Sequence, residues 1–218
     1  MNLKIDFVSD ISCPWCAIGL SALEQALSAI KGEVSTELHF QPFELNPHMP
    51  AGGQDIGEHL AQKYGSTPEQ QAQIRDTIRK RGAEVGFSFN LGGRGRIYNT
   101  FDAHRLLHWA DQEASAKQLA LKKALLRSCH SAGENMESPA VLLGAVQAAG
   151  LDQQRARAIL ASDEFATEVR AREAFYTDQG IHAVPAVIIN DRHLISGGQA
   201  PTVYEQALRQ IAVAQDAL

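Results

Sequence analysis

Apolar and polar residues alternate at the start of the chain, with Leu3, Ile5 and Phe7 on one side and Lys4 and Asp6 on the other, which predicts a strand with one buried face. The period then changes. Pro14 stands where a first helical residue is tolerated, because its missing N–H would have no partner there, and this puts Cys13 at the cap position. Leu23, Ala26, Leu27 and Ile30 recur at helical spacing until Gly32. Val34, Thr36, Leu38 and Phe40 then alternate with Ser35, Glu37 and His39 and predict a second strand.

Beyond Pro47 the pattern is helical and explicitly capped. Thr67-Pro68-Glu69-Gln70 and Ser115-Ala116-Lys117-Gln118 both fit the capping box, in which the cap hydroxyl and the residue three later satisfy each other's backbone donors. Ser138-Pro139 and Asp152 open two further helices, and Gly150 and Gly180 sit at C-cap positions. From about residue 55 to 179 no segment reads as a strand. Val184-Pro185-Ala186-Val187-Ile188-Ile189 is then a short apolar run typical of a buried strand, and His193-Leu194-Ile195-Ser196 follows across an Asn190-Asp191 turn. Gly197-Gly198 ends that pair, and Pro201 opens a last helix through Leu208 and Ile211. The order is β-α-β, a helical block, then β-β-α, an α/β chain.

Length gives this order a meaning. At roughly 150 residues per domain, 218 residues are about one and a half domains. The pattern resolves the surplus as an insertion. Residues 1–46 and 180–218 form a discontinuous body, and 47–179 an inserted helical domain whose last helix is a candidate for the body. Hydrophobic residues at 44% and charged residues at 21% are ordinary globular usage. The net charge of −5 leaves no electrostatic footprint for nucleic acid, and no apolar run is long enough to span a membrane. The first residues lack a basic region, an apolar core and a cleavage site, so a cytoplasmic location is expected. No pattern specifies an oligomeric state.

Three cysteines are too few for a disulfide scaffold, and a close pair in a reducing compartment points to catalysis or metal. Cys13-Pro14-Trp15-Cys16 opens a helix directly after a strand. Cys13 there faces the free N–H groups of the first turn, including those of Trp15 and Cys16, which favour thiolate over thiol and make it the nucleophile. Cys16, one turn inside, is the resolving partner. Zinc would need two more ligands, and Cys129 falls on a core face with Leu121 and Leu125, so no metal site is expected. His104 and His108 share a helix face without a third ligand. Trp15 is expected to be an exposed aromatic that contacts substrate.

Asp10 reads equally as a proton acceptor or as a turn-shaping group. Asn46 and Asn99 are placed at the cleft between body and helical block, with loop capping as the alternative. His182 reads as a loop histidine beside that cleft. Gly92-Gly93-Arg94-Gly95-Arg96 reads as a mobile loop over it, and Arg75, Arg79, Lys80 and Arg81 as a solvated helix face. Pro185 by itself reads as a proline at the start of a strand.

The chain resembles the thioredoxin superfamily, and within it the DsbA-like group with an inserted helical domain. It is most similar to the FrnE-like branch, which is related to the 2-hydroxychromene-2-carboxylate isomerases and kappa-class glutathione transferases. The residues that carry the likeness run from Ser9 to Cys16, Pro42 to Pro47, Asn99 to Leu106, Val184-Pro185, and Ser196-Gly197-Gly198-Gln199. The resemblance implies a thioredoxin fold with helices over the active-site face and a cis Pro185 that belongs to the catalytic site. It also implies substrate contacts from Pro14, Trp15 and Val184, and glutathione contacts from Val184, Ser196, Gly197 and Gln199. Those isomerase and transferase relatives carry serine where Cys13 stands. A second cysteine pair near the C-terminus is absent.

The expected function is a cytoplasmic thiol:disulfide oxidoreductase acting on a protein or small-molecule thiol or disulfide. No tightly bound cofactor is expected, and glutathione is a candidate co-substrate. The alternatives are a glutathione-dependent isomerase or transferase for an aromatic or polyketide-like small molecule, for which Cys16 would be dispensable, and a non-catalytic peptide-binding module.

Overall fold

The structure is a computed structural model that describes residues 2–90 and 92–216. Strand β1 (Asn2–Ser9) leads into helix α1 (Pro14–Ala29), which returns to β2 (Ser35–Pro42). Near the other end, β5 (Ala186–Ile189) and β6 (His193–Ser196) precede α9 (Pro201–Asp216). These strands form one sheet in the order β2-β1-β5-β6, with β1 parallel to β2 and antiparallel to β5, and β6 antiparallel to β5. In register, Ile5 lies beside Leu38 and Phe7 beside Phe40, whose rings meet edge to face at 5.9 Å between centroids. Asn190 and Asp191 both take left-handed φ, 53° and 55°, as a tight hairpin turn requires.

The single buried face expected of β1 is only half of the arrangement. Leu3, Ile5 and Phe7 are fully buried in the main core, yet Val8 and Asp6 on the opposite side are buried as well. Val8 packs with Tyr176, Ile181 and Ala186 in a second cluster. Tyr176 comes from α8 (Ala166–Asp178), the last helix of the inserted segment, which lies against β2. Asp6 is tolerated there because Lys4 Nζ stands 2.9 Å from one carboxylate oxygen and Gln41 Nε2 donates to the other at 2.6 Å. A central strand covered on both faces has few exposed positions, so strict alternation underestimates its burial.

The segment between β2 and β5 carries α2 (Ile56–Tyr64), α3 (Pro68–Glu84), α4 (Phe101–Ala114), α5 (Gln118–Arg127), α6 (Pro139–Ala148), α7 (Gln153–Leu160) and α8. It also holds a two-residue ladder, β3 (Gln54–Asp55) with β4 (Arg96–Ile97), too short to leave an alternating pattern in the sequence. The Thr67 capping box forms, with both reciprocal bonds to Gln70. The one expected at Ser115 does not. Ser115–Lys117 is a 3₁₀ turn that continues α4, and the Gln118 side chain is committed elsewhere. It accepts from Phe40 N–H at 3.1 Å and donates to the carbonyls of Phe40 and Leu107 at 3.3 and 3.1 Å. Those bonds satisfy the Phe40 backbone on the outer edge of β2, and α4 and α5 pack on the same strand, so the inserted helices share the body's core.

Candidate active site

The turn between β1 and α1 is organised by Asp10. Its Oδ1 accepts from Ser12 N–H at 3.0 Å and Thr100 Oγ1 at 2.8 Å, and its Oδ2 accepts from Ser12 Oγ at 3.0 Å and Leu45 N–H at 2.7 Å. One buried carboxylate therefore joins the cysteine loop, the segment after β2 and the start of α4. His104 Nε2 stands 3.8 Å from Oδ1. Burial alone would raise the Asp10 pKa, but the His104 imidazole and the backbone N–H groups of Ser12 and Leu45 hold it well below the usual carboxylate range. With its lone pairs occupied, Asp10 shapes the turn.

Cys13 is the N-cap of α1, and Pro14 its first residue. Both Cys13 and Cys16 are free thiols, Cys13 4% exposed and Cys16 fully buried. The two differ in acidity. The Cys13 pKa is pushed down because the Cys16 thiol donates to its sulfur and the N–H groups of Cys16 and Trp15 point at it, outweighing burial and the repulsion of Asp10. Cys16 goes well up, first through burial and then through the neighbouring Cys13. The Cys13 side chain makes no cap hydrogen bond of its own, since the Cys16 N–H donates to the Cys13 carbonyl at 3.1 Å, so the positive end of α1 acts on the sulfur through space.

The Val184–Pro185 peptide bond is cis, and the Val184 carbonyl lies 3.7 Å from Cys13 Sγ. Pro185 packs behind Val184 against α1 at Gly19, where a Cβ would come within 2.9 Å of the proline ring. The Ser196–Gln199 turn braces this corner: Gly197 N–H donates to the Pro185 carbonyl at 2.8 Å, and Tyr204 Oη to the Gly197 carbonyl at 3.0 Å.

Cys13, Pro14, Trp15 and Val184 open onto a cleft of about 730 Å³ whose far walls are supplied by α2 and α3 through Leu60, Tyr64, Ile74 and Ile78. Its lining is mainly apolar. Trp15 is half-buried against the core, so the freely exposed aromatic expected there is instead a wall of the cleft. His182 and Arg75 reach the rim. Ser196, Gly197 and Gln199 are not among the lining residues; their turn packs on the first turns of α1, where Gly198 lies against the Trp15 carbonyl and Gly19. Asn46 and Asn99 are also absent from the lining. Asn46 Oδ1 accepts from Lys63 Nζ at 2.8 Å, a bond between side chains, while Asn99 Oδ1 accepts from Phe101 N–H at 2.8 Å and so caps the start of α4. His104 turns inward to Asp10, whereas His108 packs its ring on Phe165, so the two do not form a pair. No three candidate metal ligands meet among the described residues.

Three residues at the site carry no sequence signal strong enough to single them out. Arg94, expected in a mobile loop, is 8% exposed and donates from Nη1 to the Ser12 carbonyl at 3.1 Å. The same nitrogen stands 3.3 Å from His130 Nδ1. Arginine can only donate, so Nδ1 is the acceptor and the ring is neutral, in keeping with burial that pushes the His130 pKa well below its ordinary value. His130 reaches this position because α5 widens into a π-helical segment, Ser128–Ala132, that redirects Cys129 and His130 inward. The third is Lys122, fully buried on α5.

A family model for the DSBA-like thioredoxin domain matches residues 4–209. A probable DsbA oxidoreductase from Streptomyces coelicolor is 32% identical, with a TM-score of 0.83 over 95% of this chain and 89% of that one. A 2-hydroxychromene-2-carboxylate isomerase matches at 13% identity and a TM-score of 0.70, covering 98% of each chain. The cytosolic disulfide reductase DsbM from Pseudomonas aeruginosa, solved with GSH, matches at 15% and 0.65 over 96% of this chain and 98% of that one. At those two identities the likeness is one of fold.

Proposed function

The chain belongs to the DSBA-like thioredoxin domain family, and from that premise we propose that it is a thiol:disulfide oxidoreductase with Cys13 as nucleophile and Cys16 as resolving thiol. The observation that carries this reading is the placement of the pair, Cys13 at the N-cap of α1 in the lining of the cleft and Cys16 fully buried one turn inside. Cys13 is held toward thiolate at the floor of an open cleft, while Cys16 is kept protonated behind it. A thiolate attacks a disulfide sulfur, expelling the other sulfur as thiolate, and leaves Cys13 in a mixed disulfide; Cys16 then attacks Cys13 Sγ and releases the bound half as a thiolate. The Val184 carbonyl beside Cys13 gives an extended substrate chain a backbone acceptor.

The apolar walls favour a substrate with hydrophobic groups next to its sulfur. The cleft volume also falls within the range of small-molecule sites. That supports a second reading, glutathione-dependent chemistry on an aromatic small molecule in the cytosol. GSH bound to the DsbM fold makes glutathione the small thiol to test.

One set of measurements separates the two readings. The dithiol–disulfide equilibrium in glutathione buffers, insulin reduction and glutathione affinity are followed for the wild type and Cys16→Ser. The oxidoreductase reading expects a defined Cys13–Cys16 disulfide and loss of turnover in Cys16→Ser. A protein inert towards disulfides that binds glutathione equally in both forms would overturn it.

A further inference from the structure

The chain has 25 acidic side chains against 20 Lys and Arg, yet among the described residues no carboxylate lines the cleft over Cys13. Its basic lining consists of Arg75, Arg94, His59 and His182. Arg94 is buried and engaged by the Ser12 carbonyl and His130. His59 Nδ1 lies 2.8 Å from Gln54 Oε1, and the Gln54 amide nitrogen donates to Gln62, so Nδ1 is the donor and Nε2 is left as an acceptor. Burial and the charge of Lys63 favour that neutral ring. His182 stands exposed at the rim.

Arg75 is the cation left over. The basic run on α3 reads from the sequence as a solvated face, and three of its four members conform. Arg79 and Lys80 share Asp76 at 2.5 and 2.6 Å, and Arg81 reaches Glu84 at 3.6 Å. Arg75 has no ion pair or hydrogen bond among the described residues and is half-buried in the cleft wall. It lies one turn after Gln71 and one turn before Ile78, both of which line the same cleft, so the helical period turns it inward. A guanidinium is always charged and presents a planar fork of N–H donors that matches a carboxylate. The cleft holds none, so the matching group has to arrive with the substrate.

The other polar groups of the cleft indicate what carries it. The Val184 carbonyl beside Cys13 and His59 Nε2 on the α2 wall are both acceptors, suited to the N–H groups of a chain, and the apolar walls suit its side chains. We propose that Arg75 selects, among peptide disulfides, those with an Asp or Glu close to the cysteine, pairing with that carboxylate while Cys13 attacks the sulfur. This selection rests on the dithiol-exchange reading above and leaves its chemistry unchanged. The net charge of −5 opposes acidic chains at long range, so the preference belongs to a position near the cysteine and not to acidity of the peptide as a whole.

The test uses the reduced protein and disulfide-linked dimers of a terminally blocked cysteine peptide in which one neighbouring position is Glu, Gln or Lys. Thiol release at pH 7 is followed for each, and every rate is divided by that of dithiothreitol on the same peptide, which cancels the effect of the neighbouring charge on the sulfur itself. With the charge at the preferred position, the wild type should favour Glu over Gln by about fivefold, and the preference should fade between about 0.05 and 0.5 M salt. Arg75→Gln should treat the two alike, Arg75→Lys should retain part of the preference, and Arg75→Glu should favour the Lys peptide. That reversal cannot come from a damaged fold. Equal Glu-to-Gln ratios in the wild type and Arg75→Gln, or an Arg75→Glu variant without a preference for Lys, overturn the assignment. So does an Arg75-dependent preference confined to a small aromatic disulfide, 4,4′-dithiodibenzoate over its diamide. Failure of the wild type to cleave any of the peptide disulfides, Gln dimers included, would instead sink the exchange reading itself.

Discussion

Arg94 donates to the carbonyl of Ser12, one residue before the nucleophile, across 82 positions of sequence. The inserted segment thereby holds the loop that presents Cys13. Asp10 does the same from inside the turn, through Thr100 and Leu45. The body supplies the cysteines, and the insertion fixes the loop and walls the cleft.

Arg94→Met should therefore loosen the cysteine loop more than it changes the rest of the fold. It removes a buried charged donor and leaves the Ser12 carbonyl and His130 Nδ1 without their partner, at a cost of about 2 kcal/mol. Amide exchange at Ser12 and Cys13 should accelerate, with Leu3, Ile5 and Phe7 in β1 still protected. Uniform loss of protection, or none, would count against a local role.

Asp10→Asn sets stability against reactivity. Whichever way the amide is turned, one pair of donors now faces an N–H₂ group, since Ser12 and Thr100 donate to Oδ1, and Leu45 and Ser12 Oγ to Oδ2. A loss of about 2 kcal/mol is expected. The Asp10 anion raises the Cys13 pKa, so its removal should let Cys13 titrate lower, measured by thiolate absorbance against pH. The pH dependence has a definite sign: a carboxylate held below its ordinary value of 3.8 adds stability that is present above that pH and lost as pH falls below it. Asp10→Asn should flatten that acid limb, seen in denaturant midpoints between pH 5 and 2.

These residues mark how far the sequence is legible. The Cys13–Cys16 spacing and the β-α-β opening are short-range patterns, and the structure puts Cys13 at the N-cap of α1 directly after β1 as that spacing predicts; the Val184-Pro185 corner was expected from the family resemblance, since its spacing alone reads as the start of a strand. Lys122 shares a helix face with Gln118, Leu125 and Cys129, where no local pattern singles it out, and its burial follows only from α5 packing on β2. Arg94 sits among glycines that read as a loop, and its burial follows from tertiary contact. The Ser115 capping box fails because Gln118 is recruited by a strand 78 residues away. Local chemistry is written in the chain, whereas the use of a polar side chain by a distant backbone is not.

The cleft predicts a substrate preference. Tyr64 and Ile74 are 59% and 48% exposed, and both line the wall facing Cys13. Covering one such side chain with an apolar group contributes about 1.5 kcal/mol, roughly tenfold in affinity. Ile74→Ser should lower kcat/KM about tenfold for a mixed disulfide of glutathione with a hydrophobic peptide, and leave oxidised glutathione nearly unaffected. Equal losses for both substrates would show that the wall does not select.

Lys122 should be a liability to the fold. Its pKa falls from 10.5 to about 8 on burial, so below pH 8 the folded protein carries a proton on a desolvated amine that the unfolded chain holds in water. The shift corresponds to about 3 kcal/mol against folding at pH 7. Between pH 8 and 10.5 the unfolded chain binds more protons than the folded one, so stability rises with pH across that window. Lys122→Met should consequently be more stable than the wild type by about 3 kcal/mol at pH 7, with a gain that shrinks steadily towards pH 10.5. Urea unfolding of both proteins at pH 7, 8, 9 and 10 measures it. A methionine variant that is less stable at pH 7, or a gain independent of pH, would mean that the amine is held by a partner and carries no such burden.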